Sequence, residues 1–454
     1  MTFDSLPEIA QSTIRLALDG GATDAECTIS EGEEFSANVR MRELETLKDA
    51  GSRGAGLRVL IGKRMGASYT SDLTPEGIRQ MVRSAIDLAG LTTEDPYAGL
   101  PEPGELGSIE GDLRLFSGET ANLPTEQRID MAMRAEAAAL DFDTRIANSE
   151  GASFDSSVGG RVFANSRGFL GSYRSSYCSV SAVPVAVQDG GQTAAMERDY
   201  WFTMARDYRG LEAPEEVGRK AAERALRRLG AVKVETQRVP VVFEPRVARS
   251  LLGNIFDAIE GRSIYRNASF LAGRLGEKVA AGNVTLIDDG TIPGLFGTSP
   301  FDDEGVPTRR TAVIENGVLR SYLLNTYAAQ KLGMTTTGNA SRGITGNAGI
   351  GHGNFFLEAG ARAPEDIIRG LNNAFYVTEL IGSGVNTVTG DYSRGAVGIW
   401  IRNGELAFPV SEVTIASTLQ EMLNGIAEIG NDLEFRGSVS APTISIGEMT
   451  VAGR

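Results

Sequence analysis

Glycine is the residue whose distribution most constrains how this chain can fold. The 454 residues include 55 glycines, and these are spread along the whole sequence without a fixed period. Glycines placed in this way fit turns rather than a periodic repeat. Stretches in which apolar and polar residues alternate lie between them, such as 56–61 and 66–71. The distribution therefore predicts numerous turns that connect short β-strands.

The order of helical and strand patterns divides the chain into three regions. Residues 1–100 carry helices on either side of alternating strands, as in an α+β layer. Residues 101–235 are a central mixed α/β region, and residues 236–454 are mainly β. Two pairs in the last region, Asn316-Gly317 and Asn403-Gly404, predict hairpin turns with positive φ. We therefore expect an α+β fold, in which an N-terminal α/β layer domain precedes a mostly β domain, sandwich or barrel-like, with covering helices.

Net charge and cysteine content restrict the partners and the compartment. The formal net charge is −15, and an acidic surface repels phosphate backbones, so direct nucleic-acid binding is not expected. The first residues lack the basic and apolar segments of a signal peptide, and no apolar run reaches the roughly 18 residues of a membrane span. Cys27 and Cys178 lie far apart, as expected for reduced, buried thiols. These features predict a cytoplasmic protein without a membrane partner.

Histidine is nearly absent, and this scarcity limits the chemistry. His352 is the only histidine, whereas a typical zinc hydrolase needs two or three imidazoles. It lies in the glycine-rich segment 349–354, which favours a structural or incidental role over a catalytic one. The clusters Asp288-Asp289 and Asp302-Asp303-Glu304 could hold Mg²⁺ or Ca²⁺, but their neighbouring glycines favour turns in which carboxylates cap backbone groups. A hydrolase site built from His352 or from these clusters stays open as an alternative.

Isolated arginines occur in the C-terminal half. They could contact anions, but single arginines usually form surface ion pairs, and this is the interpretation that we favour. The positions are Arg309, Arg310, Arg342 and Arg394.

One helix has an unusually clear pattern. Glu244-Pro245 begins it, and the apolar residues extend to about Glu260. These residues follow the spacing i, i+1, i+4, i+5, i+8, which predicts a core or interface helix. They are Leu251, Leu252, Ile255, Phe256 and Ile259.

A series of motifs after this helix resembles the TldD/PmbA family. The series keeps its order over most of the C-terminal half, and the N-terminal α+β segment also fits the family. The motifs are 276–280 (GEKVA), 285–290 (TLIDDG), 302–307 (DDEGVP), 314–319 (IENGVL), 332–339 (LGMTTTGN), 392–396 (YSRGA) and 430–433 (GNDL).

The resemblance distinguishes two kinds of family member. TldD-type subunits carry a zinc site, with HExxxH on a helix and a cysteine near the C-terminus. Aligning the Glu-Gly pair that follows this motif with Glu260-Gly261 places Leu252 and Asp257 at the two histidines and Gly253 at the glutamate. The segment 434–440 (EFRGSVS) has no cysteine. The chain is therefore similar to the PmbA, or TldE, kind, which lacks the zinc motif.

That resemblance implies a role without catalytic or metal-binding residues in this chain. The partner would be a TldD-type subunit that holds the zinc, and the substrates would be small, unfolded or extended peptides. A homodimer without that partner stays an alternative arrangement. A third alternative is a gyrase-modulating regulatory protein, against which the net charge of −15 argues.

Overall fold

The computed structural model describes residues 3–188 and 196–454. Its helices are α1 Leu6–Asp19, α2 Pro75–Leu91, α3 Gly118–Ala121, α4 Thr125–Leu140, α5 Pro214–Leu226, α6 Pro245–Ile259, α7 Gly261–Tyr265, α8 Thr326–Leu332, α9 Pro364–Arg369 and α10 Leu419–Asn424. Its strands in the first half are β1 Asp24–Arg40, β2 Glu43–Ile61, β3 Arg64–Thr70, β4 Ile146–Asn165, β5 Leu170–Val187, β6 Met196–Arg198 and β7 Trp201–Ala205.

The strands of the second half are mostly shorter. They are β8 Gln237–Phe243, β9 Leu286–Asp289, β10 Arg310–Glu315, β11 Val318–Leu319, β12 Ala340–Ser341, β13 Gly349–Ile350, β14 Asn354–Leu357, β15 Asn373–Ile381, β16 Asp391–Arg402, β17 Glu405–Thr418, β18 Ile426–Ile429, β19 Val439–Ser440 and β20 Ile444–Ala452. Helices and sheets mixed in this way confirm the predicted α+β class.

Strands β1–β7 form one antiparallel sheet in the order β3-β2-β1-β4-β5-β6, with β7 also paired to β5. The prediction of short strands is wrong here, because β1 has 17 residues and β4 has 20. Several glycines lie inside these strands, where the missing side chain permits close packing rather than a turn. A Cβ at Gly56 would lie 1.7 Å from the carbonyl oxygen of Ile344, and a Cβ at Gly159 would lie 2.7 Å from that of Glu31.

The two faces of this sheet have different partners. Helices α1, α2, α4 and α5 pack against the sheet, and alternate residues of β1 such as Cys27 and Ile29 are buried in that layer. Glu26 and Thr28 point the other way, since successive side chains of a strand alternate between faces. Both contact Arg342 of the C-terminal half. The sheet therefore separates the helical layer from the C-terminal half.

The C-terminal half is built around a closed barrel. Its strands follow the order β17-β16-β15-β8-β20, and β20 pairs with β17 to close the ring. A second sheet has the order β11-β10-β9-β14-β19. Helix α6 packs into the main core of this half through Leu251, Leu252, Ile255 and Ile259, as its apolar pattern predicted. The barrel-like alternative for this region is thus confirmed.

Both predicted Asn-Gly hairpin turns are present. The φ angles of Asn316 and Gly317 are 49° and 80°, and those of Asn403 and Gly404 are 51° and 81°. These values are the left-handed ones that a two-residue hairpin of this type requires. Among the described residues, no helix combines the length and the apolar character needed to cross a membrane.

Candidate functional site

A cavity of about 700 Å³ lies between the seven-stranded sheet and the C-terminal half, and we call it the central cavity. Strand β2 and the turn after it line one side, and the end of α6, the start of α7 and part of α8 line the other. Polar side chains from both sides face this space. Among them are Arg58, Lys63, Asp257, Glu260, Tyr327 and Asn347.

The helix positions that the motif alignment identified do not face a common point. Leu252 is 1% exposed and belongs to the core. Asp257 lines the central cavity, and a Cβ added at Gly253 would meet no atom within 4 Å. A step of five positions along an α-helix, as from 252 to 257, rotates the side chain by about 140°. Leu252 and Asp257 consequently point into the core and into the cavity, respectively.

Asp257 is the ionisable group among these three positions. Partial burial raises the pKa of its carboxyl group, and repulsion from the Glu260 carboxylate raises it further. The charge of His352 acts in the opposite direction. The imidazole of His352 lies 4.9 Å from the ring of Phe256, measured between centroids, and its Nδ1 is 2.9 Å from the carbonyl oxygen of Gly353. The only histidine therefore lies beside α6, which its glycine-rich sequence context did not indicate.

Glu260 and Gly261 have structural roles in this helix pair. The Glu260 carboxylate accepts hydrogen bonds from the backbone N–H groups of Arg262 (2.8 Å) and Ser263 (2.9 Å), so it caps the N-terminus of α7. A Cβ at Gly261 would lie 2.6 Å from the Cβ of Ala328 in α8. The pair thus ends α6, begins α7 and lets α8 approach closely.

A buried ion cluster adjoins the opposite wall of the central cavity, which Arg58 lines. Glu26 is 0% exposed, pairs with Arg58, and lies 3.4 Å from Nη1 of Arg342. Arg58 also donates to the Gly99 carbonyl oxygen at 3.1 Å. The interpretation of Arg342 as a surface ion pair is wrong, because only 4% of its side chain is exposed. Arg310 does form an exposed pair, with Glu358 at 3.2 Å.

The cluster Asp302-Asp303-Glu304 lies in a turn, as its glycine predicted, whereas Asp288 and Asp289 end strand β9 and the turn begins at Gly290. Asp302 accepts hydrogen bonds from the backbone N–H groups of Glu304 (2.9 Å), Val306 (3.0 Å) and Ala340 (2.9 Å). Asp303 forms an ion pair with Arg161 at 2.8 Å. These carboxylates are therefore occupied by protein donors.

Asp288 is buried and accepts hydrogen bonds from Asn339 Nδ2 and from the Gly353 backbone N–H, both at 2.7 Å. Burial raises the pKa of Asp288 to about 7. Within residues 3–188 and 196–454, no three or more His, Cys, Asp or Glu side chains are grouped as metal ligands would be.

The side chains at the altered motif do not fit a zinc site. Zinc in proteins is held by thiolates, imidazoles and carboxylates, and at α6 only the Asp257 carboxylate belongs to that set. Both cysteines are buried in the seven-stranded sheet instead. Burial raises the thiol pKa of Cys27 to about 12 and that of Cys178 to about 11, so neither is a ready thiolate.

The chain matches one protein family along three consecutive segments. The domains of the PmbA/TldA metallopeptidases match at residues 25–89 for domain 1, 118–229 for the central domain and 236–453 for the C-terminal domain.

Individual relatives match along nearly the whole chain. Metalloprotease PmbA of Escherichia coli O157:H7 is 37% identical over 449 residues, which cover 99% of this chain and 96% of the relative. The PmbA homologue of Haemophilus influenzae is 35% identical over 452 residues, with the same coverage.

Solved structures share the complete fold. A crystal structure from Bacteroides thetaiotaomicron, described as that of a candidate modulator of DNA gyrase, has a TM-score of 0.92 and 28% identity, and it covers 100% of both chains. TldE from Thermococcus kodakarensis has a TM-score of 0.87 over 98% of this chain and 100% of its own, and at 23% identity it supports the fold alone. The three domain matches and the relatives above 30% identity show that this chain belongs to the PmbA/TldA metallopeptidase family, the TldD/PmbA family that its motifs resemble.

Proposed function

We propose that this chain is the non-catalytic partner subunit of a two-subunit metallopeptidase. In this role it helps to enclose the chamber in which a TldD-type zinc subunit cleaves small, unfolded or extended peptides. Relatives named as metalloproteases support a role in proteolysis. Assembly as a heterodimer and location in the cytoplasm are parts of the same proposal.

The side chains of α6 are the observation that carries the proposal. Leu252 cannot bind a metal and fills the core, and Gly253 has no group that could act as a general base. Asp257 is the only carboxylate that α6 presents to the central cavity. The helix therefore offers a cavity wall to a peptide without offering a zinc site.

Metal analysis and peptide cleavage test this proposal. The purified chain is analysed for zinc by mass spectrometry, and it is assayed with unstructured peptides, with and without a chelator. We expect no stoichiometric zinc and no cleavage by the chain alone, and chelator-sensitive cleavage after a TldD-type subunit is added. The variant Asp257→Asn should leave the zinc content of that mixture unchanged. One zinc per isolated chain, together with chelator-sensitive cleavage, would refute the proposal.

A hydrolase site at His352 is the second candidate, because this side chain packs against Phe256 next to the central cavity. The variant His352→Phe keeps an aromatic ring in that contact and removes the imidazole. If His352 is catalytic, this variant abolishes cleavage that the isolated chain performs without added zinc subunit. If the chain is the non-catalytic partner, there is no such cleavage to lose, and the reconstituted pair retains its activity.

A further inference from the structure

A smaller cavity of about 270 Å³ lies at the other end of α6, and we call it the arginine pocket. Three carboxylates line it, those of Glu244, Asp432 and Glu434. The guanidinium groups outnumber them, in a chain whose formal net charge is −15. The arginines are Arg224, Arg227, Arg246, Arg249 and Arg436.

Most of these arginines are already paired. Arg224 and Arg227 bind the two carboxylate oxygens of Glu244 at 2.6 Å and 3.2 Å. Arg436 pairs with Glu212 and with Glu434, each at 2.7 Å, and Arg246 pairs with Asp199 at 3.1 Å. Arg249 has no ion pair or hydrogen bond with a described residue, and its guanidinium lies 5.9 Å from the ring centroid of Phe202. Arg249 therefore keeps all five of its N–H donors without an acceptor among the described residues.

Four other donors in the pocket wall have no hydrogen-bond acceptor in the described part of the chain, and two of them, the Nε atoms of Arg224 and Arg246, lie 3.3 Å and 3.4 Å from carboxylate oxygens of Asp199 and Glu244. Ser440 is 3% exposed, and its Oγ has no hydrogen-bond partner among the described residues. The Nε of Arg227 is likewise buried without a partner there. Burial and the adjacent Arg224 guanidinium both lower the pKa of Arg227, while the Glu244 carboxylate raises it. Buried donors in folded proteins normally have acceptors, so these groups point to an acceptor supplied from outside.

An aromatic side chain holds the arginine planes in place. The guanidinium of Arg436 lies 4.7 Å from the ring centroid of Trp201, and that of Arg246 lies 5.8 Å from it. Guanidinium groups stacked on a ring lose little conformational freedom when they bind a planar anion. A carboxylate is such an anion, and it matches the two parallel N–H donors of an arginine.

Helix α6 connects this pocket to the central cavity. Arg249 lines the arginine pocket and Asp257 lines the central cavity. Gly253 lies between them on the same side of the helix, and its missing side chain leaves open space. Eight residues of helix span about 12 Å, which is the length of roughly four residues of extended peptide.

We propose that the arginine pocket binds a carboxylate group of a peptide that lies along α6 toward the central cavity. This inference rests on the proposed role in peptide cleavage and adds a selectivity for acidic peptides. Two sources provide the same chemistry, the C-terminal α-carboxylate and the side chain of an acidic residue. In both cases the carboxylate binds the guanidinium of Arg249 and accepts a hydrogen bond from the hydroxyl group of Ser440.

Fluorescence anisotropy with three labelled peptides tests the proposal on the full-length chain, alone and together with the zinc subunit. The first peptide has a free C-terminus and no acidic side chain, the second is its amide, and the third is the amide with one internal Glu. The variant Arg249→Gln removes the unpaired charge without leaving a carboxylate unpaired. Arg402→Gln is the matched control, since Arg402 also lies over a phenylalanine ring (Phe408, 5.0 Å) without an ion pair in the described residues, and it is outside the pocket.

We expect at least one carboxylate peptide to bind more tightly than the plain amide, and Arg249→Gln to remove on the order of tenfold in affinity, as for a charge-assisted hydrogen bond. Arg402→Gln should have no effect. Preference for the first peptide identifies the terminal carboxylate, and preference for the third identifies a side chain. Equal affinity for all three peptides, no binding of any of them, or equal effects of the two variants overturns the proposal. Because binding by the isolated chain needs no zinc, these outcomes are independent of the zinc analysis that tests the subunit role.

Discussion

Glu26 neutralises two arginines at the contact between the sheet and the C-terminal half, so its charge should be essential for stability. The variant Glu26→Gln keeps the size of the side chain and removes the charge. Arg58, 9% exposed in its side chain, and Arg342, 4% exposed, would then lose this partner. Removal of one partner from a buried ion pair costs about 3–5 kcal/mol, because the other charge stays buried without compensation. We expect a loss of this size in the free energy of unfolding.

Urea unfolding followed by tryptophan fluorescence and circular dichroism measures the loss. Glu34→Gln is the matched control on the same strand, because Glu34 pairs with Lys48 at 3.3 Å while both side chains are more than 60% exposed. Exposed pairs of this kind contribute little, so the control should unfold like the unmodified chain. In the double variant Glu26→Gln/Arg342→Gln the loss should be smaller than the sum of the two single losses. If Glu26→Gln and Glu34→Gln unfold at the same urea concentration, the cluster does not stabilise the contact.

Two further predictions concern the same contact and the buried carboxyl group near it. Gly56→Ala should lower the free energy of unfolding by about 1–3 kcal/mol or more, because its Cβ would overlap the Ile344 backbone. Gly51→Ala in the same strand is the control: its Cβ would meet no atom closer than 4.0 Å, so it should be neutral in urea unfolding. The pKa of Asp288 is about 7 in the folded chain and near 4 in the unfolded chain, so the folded state binds more protons between these values. The stability that Asp288 contributes is complete below pH 4 and is lost as the pH rises through 7. In thermal unfolding, the stability of the Asp288→Asn variant should therefore decline less over that pH range than the stability of the unmodified chain. An equal pH dependence of the two proteins would exclude Asp288 as its source.

Local patterns in the sequence were sufficient for local structure. The Asn-Gly pairs require positive φ at their own positions, and the apolar stripe of α6 repeats within a few residues, so neither prediction depended on distant parts of the chain. The turns at Asp289 and Asp302 were predictable for the same reason, since Asp289 caps the backbone N–H of Thr291 and Asp302 caps those of Glu304 and Val306. Asp288 instead binds Asn339 and Gly353, which lie 51 and 65 positions away in the sequence.

Contacts between distant segments were not predictable from such patterns. Arg342 and Glu26 are 316 positions apart, and nothing in the residues around Arg342 distinguishes a buried arginine from an exposed one. Gly56 is required because the backbone of Ile344, distant in the sequence, approaches it closely. In the sequence alone, a glycine that permits such an approach cannot be distinguished from a turn glycine. The glycine-rich residues around His352 likewise do not indicate that the fold brings its imidazole to Phe256. In each case the partner comes from another layer of the fold, which a single sequence does not specify.

The altered motif on α6 illustrates how one helix can keep its packing while its chemistry changes. The buried side of α6 requires apolar side chains, and Leu252 meets that requirement at a position that the resemblance assigns to a zinc ligand. The exposed side places Arg249, Gly253 and Asp257 along one line between two cavities. The positive charge on this side is that of the Arg249 guanidinium, which lies about two turns from Asp257. This distribution fits the proposed role, in which this chain orients an anionic peptide and a second subunit holds the metal.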